Sequence, residues 1–259
     1  CGASGDMIVG ALIDAGADFE TIKRALLSLS VTGFDVRADK VKKKGIAATQ
    51  FTVEIDPDVK QPHRHLHHVE EIIRSGNLPQ DVINRACETF RLIAEAEAAV
   101  HATTIEKVHF HEVGAIDSIV DIVGAHLALH LLGAEEVYAS SPQVGCGTVK
   151  CDHGVMPVPA PATALLLKGI PWSSGDVPME LLTPTGAALL KHTVRRFCGM
   201  FPMRVDIVGY GSGTREIADR ANVLRVFLGE RFTSGLERQS ITVVETNIDD
   251  MSPELVAPI

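Results

Sequence analysis

Hydrophobic and polar positions alternate along the chain in two ways, and each way predicts a different kind of element. Apolar residues recur every three or four positions in Asp6–Ala15, Asp18–Leu29 and Pro79–Val100, which predicts amphipathic helices. A period of two over Phe34–Val41 and Thr49–Ile55 predicts the two strands of a β-hairpin, joined by a lysine-rich turn. The first hundred residues therefore combine helices with a hairpin.

The second half of the chain continues this mixture. An apolar helix is predicted from Ile116 to Leu132, and short strands at Val137–Ser140, Val144–Val149, Met203–Gly209 and Asn222–Leu228. Some strands form hairpins and others are separated by helices. The pattern predicts a mixed α/β (α+β) fold, in which about seven helices pack on a mixed β-sheet or sheets that are not doubly wound.

One change in composition indicates a domain boundary. The stretch Glu230–Ser240 is polar and contains glycine, which is typical of a linker. We therefore expect an N-terminal α/β domain over residues 1–232 and the beginning of a truncated C-terminal domain over residues 240–259. Because the chain starts with cysteine and ends inside a motif, we expect both ends to be cut from a longer protein.

Composition narrows the range of partners. The 259 residues are 46% apolar and 22% charged, and they carry a formal net charge of -9, whereas a nucleic-acid surface needs a basic stripe. Five widely spaced cysteines favour reduced thiols in a cytosol over a disulfide framework. No apolar run is long enough to span a membrane. We therefore expect a cytoplasmic protein that binds neither nucleic acid nor membrane. We also expect a homo-oligomer.

Candidate chemistry concentrates in residues 106–124, EKVHFHEVGAIDSIVDIVG. On a strand, His109 and His111 would share one face, and on a helix Asp117 and Asp121 would lie one turn apart. Imidazoles and carboxylates that converge in this way suit a borderline divalent metal. The alternative is two polar edge histidines followed by an aspartate favoured by the helix dipole. Because the interleaved apolar residues bury the segment, we favour a site for a metal or a charged ligand.

Other metal-ligating side chains are spread over the chain. A histidine tract, QPHRHLHH, begins at Gln61, cysteines and a histidine follow Gly145, and two aspartates lie near the C-terminal end. The alternatives are a histidine-rich helix start or a storage loop for the tract, and half-buried strand positions for the cysteines. The candidate metal ligands are His63, His65, His67, His109, His111, Asp121, Cys146, Cys151, His153, Asp249 and Asp250. His126 and His130, without an acidic residue between them, are interpreted as packing histidines.

Three loops rich in small residues could bind an anion through backbone N–H groups at or near a helix start. None has the spacing of a standard phosphate-binding motif, and helix capping explains two of them equally well. The third, within residues 209–222, contains an arginine that raises the chance of phosphate contact. The candidate residues are Ser4, Gly5 and Asp6, then Thr183, Thr185 and Gly186, then Gly211, Ser212, Thr214 and Arg215.

Six blocks together resemble one family. CGASGDM, EKVHFHEVGAIDSIVDIVG, GTVKCDHGVMPVPAPAT, LLTPTGAALL, GYGSGTRE and ETNIDDMSPE occur in this order, and nearly the whole chain resembles the LarC-type nickel-insertion proteins. The resemblance implies insertion of nickel into a pyridinium bis-thiocarboxylic acid mononucleotide, with CTP hydrolysis and Mn²⁺ or Mg²⁺. The product is the nickel-pincer nucleotide cofactor of lactate racemase, whose apoenzyme is a candidate partner. In the family, the CTP-dependent step is ascribed mainly to the C-terminal domain.

These implications fit the residues. Nickel takes imidazole and thiolate ligands, and removal of a ring proton needs a general base, for which Glu112 and Asp117 are the candidates. Two other functions stay open. A non-catalytic nickel carrier would depend on the histidine tract, and a hydrolase with a cation site at Asp117 and Asp121 would not need nickel.

Overall fold

The computed structural model describes residues 2–59, 62, 64–108, 110, 115–151 and 154–232. Within them the chain forms seven helices and eight strands, so the predicted mixed α/β fold is confirmed. In chain order the elements are α1 (Gly5–Asp14), α2 (Phe19–Leu26), β1 (Phe34–Lys43), β2 (Ile46–Ile55), α3 (Leu66–Ser75), α4 (Gln80–Val100), α5 (Ile116–Leu131), β3 (Val137–Ala139), β4 (Thr148–Cys151), β5 (Gly154–Pro157), α6 (Pro161–Leu166), α7 (Pro184–Thr193), β6 (Val194–Phe197), β7 (Met203–Ser212) and β8 (Val223–Arg231).

The largest sheet has the strand order β1-β2-β7-β8. The outer pairs are antiparallel and β2 runs parallel to β7, so the sheet is mixed as predicted. The predicted hairpin is confirmed: β1 and β2 are joined at Lys44 and Gly45, whose φ angles of 47° and 88° are the positive values of a two-residue hairpin turn. Strands β3 and β6 form a parallel pair, and β4 and β5 an antiparallel hairpin.

Helix α1 lies against this sheet through glycines. A Cβ on Gly211 would lie 1.9 Å from the carbonyl oxygen of Met7, and one on Gly209 would lie 2.3 Å from that of Ala11. On the helix side, a Cβ on Gly10 would lie 2.6 Å from the carbonyl oxygen of Thr49. The helix backbone can approach the strands this closely only because these positions carry no side chain.

The prediction of a flexible loop over residues 209–222 is therefore wrong at its start. Residues 209–212 belong to β7, where two of the glycines serve helix packing. The prediction of a strand at Val144–Val149 is also wrong at its start, because β4 begins only at Thr148 and continues to Cys151. Gly145 and Gly147 have φ angles of 87° and 82°, which break the extended run.

The core lies between the helices and one face of the sheet. Helix α5 is buried on nearly all sides, which agrees with its continuous apolar sequence, and α4 contributes Phe90 and Ile93. Cys87 is buried there, as predicted for a core cysteine. No helix in the described ranges is long and apolar enough to cross a membrane.

The predicted linker begins too early. Glu230 and Arg231 still belong to β8, where they pair with Arg204 and Met203 of β7. The rest of the linker from residue 233, and the predicted start of a second domain at residues 240–259, lie outside the described residues. The boundary at residue 232 stays a prediction.

Candidate functional site

The N-terminal ends of α1 and α5 meet at Gly5 and Asp121. A Cβ on Gly5 would lie 2.5 Å from both the Cβ and the Oδ2 atom of Asp121. Asp6 occupies the first turn of α1 and Asp117 the first turn of α5, so three carboxyl groups gather where these helices begin. We call Asp6, Asp117 and Asp121 the carboxylate cluster. The helix dipoles favour negative charge at these positions, because each helix start carries unpaired N–H groups.

Asp121 is the innermost member of the cluster. Burial raises its pKa well above the ordinary range, and the charges of Asp6 and Asp117 raise it further, while the backbone of Asp6 opposes the shift by hydrogen bonding. Its Oδ1 atom is buried and has no hydrogen-bond partner among the described residues. A buried carboxyl oxygen without a partner is costly, so this side chain favours either a proton or a bound cation.

The other two carboxyl groups shift in the same direction. Burial raises the pKa of Asp6, against hydrogen bonds from the Ser4 hydroxyl and the Met7 backbone, and the charge of Asp117 adds to the increase. Asp117 is the exposed member, and desolvation by the surrounding protein raises its pKa, while the Ser118 N–H donates to its Oδ1 at 2.8 Å. The cluster is therefore a place where carboxyl groups bind protons more readily than in water.

The carboxylate cluster does not form a complete ligand set by itself. In the part of the chain that the structure describes, no group of three or more His, Cys, Asp or Glu side chains is arranged to hold a metal ion. Nickel bound near Asp121 would therefore need donors from other residues or from the substrate. Without further ligands, the three carboxyl groups of the cluster can act as proton acceptors.

Two contacts join the histidine tract to the segment that precedes α5. The Phe110 N–H donates to the carbonyl oxygen of Arg64 at 3.1 Å, and the His65 ring Nδ1 lies 3.0 Å from the carbonyl oxygen of Val108. Phe110 is 2% exposed and packs edge-on against Phe90 of α4, with ring centroids 6.1 Å apart. The two histidine-bearing segments, far apart in sequence, are thus paired through buried residues.

The His65 side chain caps the start of α3. It accepts from the His68 N–H, and its Nδ1 atom also lies beside the Val108 carbonyl oxygen. The ring of His67 stacks on that of His65 at 5.6 Å, and His68 accepts from the His65 N–H at 3.3 Å through its Nδ1. The tract is therefore an ordered start of α3 rather than a set of independent side chains.

Several predicted metal ligands and one candidate general base, Glu112, lie outside the described residues, and their assignments stay predictions. They are His63, His109, His111, Glu112, His153, Asp249 and Asp250.

Cys146 and Cys151 occupy different places. The Cys146 thiol donates to the carbonyl oxygen of Val177 at 3.3 Å, just before the β4–β5 hairpin, whereas Cys151 is the last residue of β4, at the hairpin turn. Three steps of strand from Thr148 to Cys151 alone span about 10 Å. The structure does not bring these two candidate ligands together.

The predicted anion-binding residues at α7 are largely used for capping and packing. The Thr183 hydroxyl accepts from the Gly186 N–H at 3.1 Å, and Pro184 has no N–H, so the first turn keeps few donors for a ligand. A Cβ on Gly186 would lie 2.2 Å from the carbonyl oxygen of Ala3, so this glycine is needed for packing. Thr185 is buried.

Two of the predicted anion-binding loops lie near α1, one with acidic surroundings and one with an arginine. Ser4 and Gly5 adjoin the carboxylate cluster, and the Ser4 hydroxyl donates to Asp6, so this helix start repels an anion.

Thr214 and Arg215 are exposed. Gly213 before them lies beside Met7 of α1, since a Cβ there would be 3.1 Å from the Met7 sulfur. Ser212 is fully buried, and its hydroxyl donates to the carbonyl oxygen of Gly213. Of all the predicted anion-binding residues, Arg215 and Thr214 are the best placed.

Sequence reasoning missed that Asp6 belongs with Asp117 and Asp121. It assigned Asp6 to an anion-binding loop, whereas the structure places it in an acidic cluster. No local pattern could have shown this, because the contact joins residues more than a hundred positions apart.

Fold and site together define a class of protein: a mixed α/β chain in which two helix starts gather carboxyl groups and two histidine-bearing segments are paired. Comparison with known proteins gives the family. The family described as "Nickel insertion protein" matches residues 1–259, and the chain belongs to it.

Individual relatives agree with this assignment. The pyridinium-3,5-bisthiocarboxylic acid mononucleotide nickel insertion protein of Geobacillus kaustophilus is 42% identical over 269 residues, which cover 98% of this chain and 66% of that protein. The protein of the same name from Desulfitobacterium hafniense is 45% identical over 260 residues, covering 98% of this chain and 63% of that protein. A Geotalea daltonii relative is 45% identical, and the chain spans only 65% of its length. No solved structure matches the chain.

Proposed function

We propose that the protein inserts nickel into a pyridinium-3,5-bisthiocarboxylic acid mononucleotide and forms a carbon–nickel bond. The names of two relatives state this nickel insertion for those proteins. The observation that supports it here is the carboxylate cluster, in which a buried Asp121 oxygen has no partner among the described residues and all three pKa values are raised.

The chemistry requires a proton acceptor. When nickel replaces hydrogen on the ring carbon between the two thiocarboxylate groups, the C–H electron pair becomes the carbon–nickel bond and the proton leaves to a base. No electrons are gained or lost, so no oxidant is needed. Asp117, exposed at the start of α5 and with a raised pKa, is our candidate for this base, and Glu112 is the alternative.

Nickel itself is a substrate in this scheme. We assign its capture to imidazoles of the paired histidine segments, among them His65 and His67, with His109 and His111 as the predicted ligands closest in sequence to α5. The substrate supplies sulfur donors of its own. Asp121 would complete the nickel site or hold the positive pyridinium ring, since its buried carboxyl group lacks a partner among the described residues.

The phosphate of the mononucleotide needs cationic or N–H donors away from the carboxylates. Arg215 and Thr214 are exposed and follow Gly213, which adjoins the first turn of α1. A guanidinium group binds phosphate through paired hydrogen bonds. We therefore rank Arg215 above the capped start of α7 as the phosphate contact.

Four further parts of the proposal come from the sequence and the family resemblance. They are CTP hydrolysis with Mn²⁺ or Mg²⁺, a cytoplasmic homo-oligomer, membership of the lyases, and delivery of the product to a lactate racemase-type apoenzyme. Because the chain spans about two thirds of its relatives, we assign the CTP-dependent step to the complete protein.

The test is single-turnover metallation by the full-length protein. Nickel, the thiolated pyridinium mononucleotide, CTP and Mn²⁺ are incubated together, and mass spectrometry follows the loss of one ring proton and gain of one nickel ion. The proposal predicts a nickel-containing product that forms only with the protein. Tight nickel binding without any product would instead support a carrier, which the clustered rings of His65, His67 and His68 favour as the second candidate.

A further inference from the structure

A buried pair of histidines lies away from the carboxylate cluster. The ring of His126 in α5 contacts that of His192 in α7 edge to face, with centroids 5.1 Å apart and planes at 87°. His126 is 1% exposed. The Nδ1 atoms of both rings are buried and have no hydrogen-bond partner among the described residues. Two buried ring nitrogens without a described partner, on rings that are in contact, need a physical explanation.

The protonation of each ring follows from its other nitrogen. The Thr89 hydroxyl donates to the carbonyl oxygen of Arg85 at 2.9 Å, so its oxygen accepts from the His126 ring, whose Nε2 lies 2.8 Å away. The His192 Nε2 lies 2.9 Å from a carboxylate oxygen of Glu88, which also accepts. Both Nε2 atoms therefore carry protons, and in the neutral rings both Nδ1 atoms carry lone pairs.

Both rings are held by α4 through their Nε2 atoms, because Glu88 and Thr89 are neighbours in that helix. The two Nδ1 atoms are therefore the ring nitrogens that remain for another ligand. A metal–nitrogen distance of about 2.0–2.1 Å with tetrahedral angles places two imidazole centres roughly 5 Å apart. The observed spacing of 5.1 Å fits that arrangement.

From these contacts we propose that His126 and His192 bind a divalent transition-metal ion that prefers imidazole, such as Zn²⁺, Ni²⁺ or Cu²⁺, through their Nδ1 atoms. Glu88 and Thr89 orient the rings from the other side, as carboxylate and backbone partners do for histidine ligands in metal sites. The site is separate from the carboxylate cluster and does not depend on the proposed nickel insertion.

Access and charge are compatible with this site. A cavity of about 170 Å³ reaches His192 and is also lined by Arg85, Glu135 and Thr193. Burial, followed by the charges of His192 and Arg85, lowers the pKa of His126 to about 3, so its ring is in the neutral form that ligates metals. The charge of Asp81 opposes this shift in the pKa of His126.

The test is metal titration of the full-length protein by calorimetry with Zn²⁺ and Ni²⁺. In a His126→Gln/His192→Gln variant, the amides keep donors for Thr89 and Glu88 and remove both Nδ1 atoms. We expect one equivalent of bound metal to be lost, together with the metal-induced rise in unfolding temperature that this site confers. The matched control, His130→Gln, changes an exposed histidine of α5 that pairs with Asp81 and should bind as the parent does.

Parental stoichiometry and affinity in the double variant would overturn the proposal. If the double variant does not fold, His192→Gln alone decides, because that side chain is partly exposed and its replacement leaves the core intact. A parental affinity in this single variant would also overturn the proposal. The expected result is a loss of affinity of about tenfold or more.

Discussion

Gly5 and Asp121 touch so closely that no side chain fits between them. A Cβ on residue 5 would lie 2.5 Å from two side-chain atoms of Asp121, one of them a carboxyl oxygen. Real Cβ atoms do not approach other atoms to this distance, so any larger residue must displace either α1 or the Asp121 carboxyl group. The same contact that joins two helices therefore also sets the position of the buried carboxyl group.

The first prediction concerns this contact. Gly5→Ala should lower the free energy of unfolding by about 1–3 kcal/mol through overpacking, even though alanine favours helices. The measurement is urea unfolding followed by circular dichroism. Gly199→Ala is the matched control, because a Cβ there meets nothing within 4 Å, and it should leave stability unchanged. Equal stability of the two variants would show that the Asp121 side chain moves aside for the added methyl group without a cost in stability.

A second prediction concerns Asp14, which ties the end of α1 to three strands. It accepts from the Thr49 hydroxyl at 2.6 Å, from the Tyr210 N–H at 2.8 Å and from Lys40. Burial alone would raise its pKa, but these hydrogen bonds outweigh burial and lower it. Because the folded pKa is below the unfolded value of about 3.9, the stabilisation is complete above pH 4 and is lost as pH falls through the folded pKa.

Asp14→Asn should accordingly cost about 1.5–3 kcal/mol at pH 7, since it removes hydrogen bonds to a charged group. The cost should shrink as the parent is acidified below pH 4, because the parental carboxyl group then becomes protonated. Thermal unfolding from pH 2 to 7 measures both effects. Asp58→Asn, an exposed aspartate after β2, serves as the control. A difference between parent and Asp14→Asn that does not vary with pH would contradict the role of charge.

The strongly periodic parts of the fold could be predicted from sequence. Helices α4 and α5 and the β1–β2 hairpin have long regular patterns, and a local pattern is enough to define them. Strand β4 begins later than predicted because Gly145 and Gly147 take positive φ angles, which the alternation of residues around Cys146 does not reveal. The glycines at 209 and 211 looked like a loop because their reason, contact with α1, is tertiary.

The candidate site was predictable only in part. The four-residue spacing of Asp117 and Asp121 within an apolar helix was visible, and both belong to the cluster. Asp6 could not be joined to them, since sequence spacing carries no information on a contact between α1 and α5. The pairing of His65 with Val108 is equally long-range. Sequence patterns identify reactive residues within one element, whereas the assembly of several elements needs the fold.

A third prediction concerns the cap of α7. Thr183→Ala should lower stability by about 1 kcal/mol, because the Gly186 N–H loses its acceptor at 3.1 Å. Thr183→Ser keeps the hydroxyl and should retain most of that stability. Urea unfolding compares the stability of the variants, and the same measurement with added phosphate gives the stabilisation that phosphate binding provides. If Thr183→Ala alone loses the stabilisation that added phosphate gives, without any difference in stability in its absence, Thr183 contacts an anion instead of capping the helix.

The last prediction separates proton transfer from binding. Asp117→Asn keeps the size of the side chain and can still accept the Ser118 N–H, but it removes the basic carboxylate from the start of α5. If Asp117 is the base, nickel and the pyridinium mononucleotide should bind with parental affinity while metallation slows by about 10²–10⁴-fold. Single-turnover mass spectrometry gives the rate, and calorimetry gives both affinities.

Asp58→Asn again provides a control with the same chemical change at an exposed position. A parental rate in Asp117→Asn would transfer the role to another group, and Glu112→Gln is the next variant to measure. A weakened nickel affinity in Asp117→Asn, with the rate falling only in proportion, would mean that Asp117 ligates the metal. The two roles differ because a base acts only in the step that breaks the C–H bond, whereas a ligand also contributes to the binding of nickel.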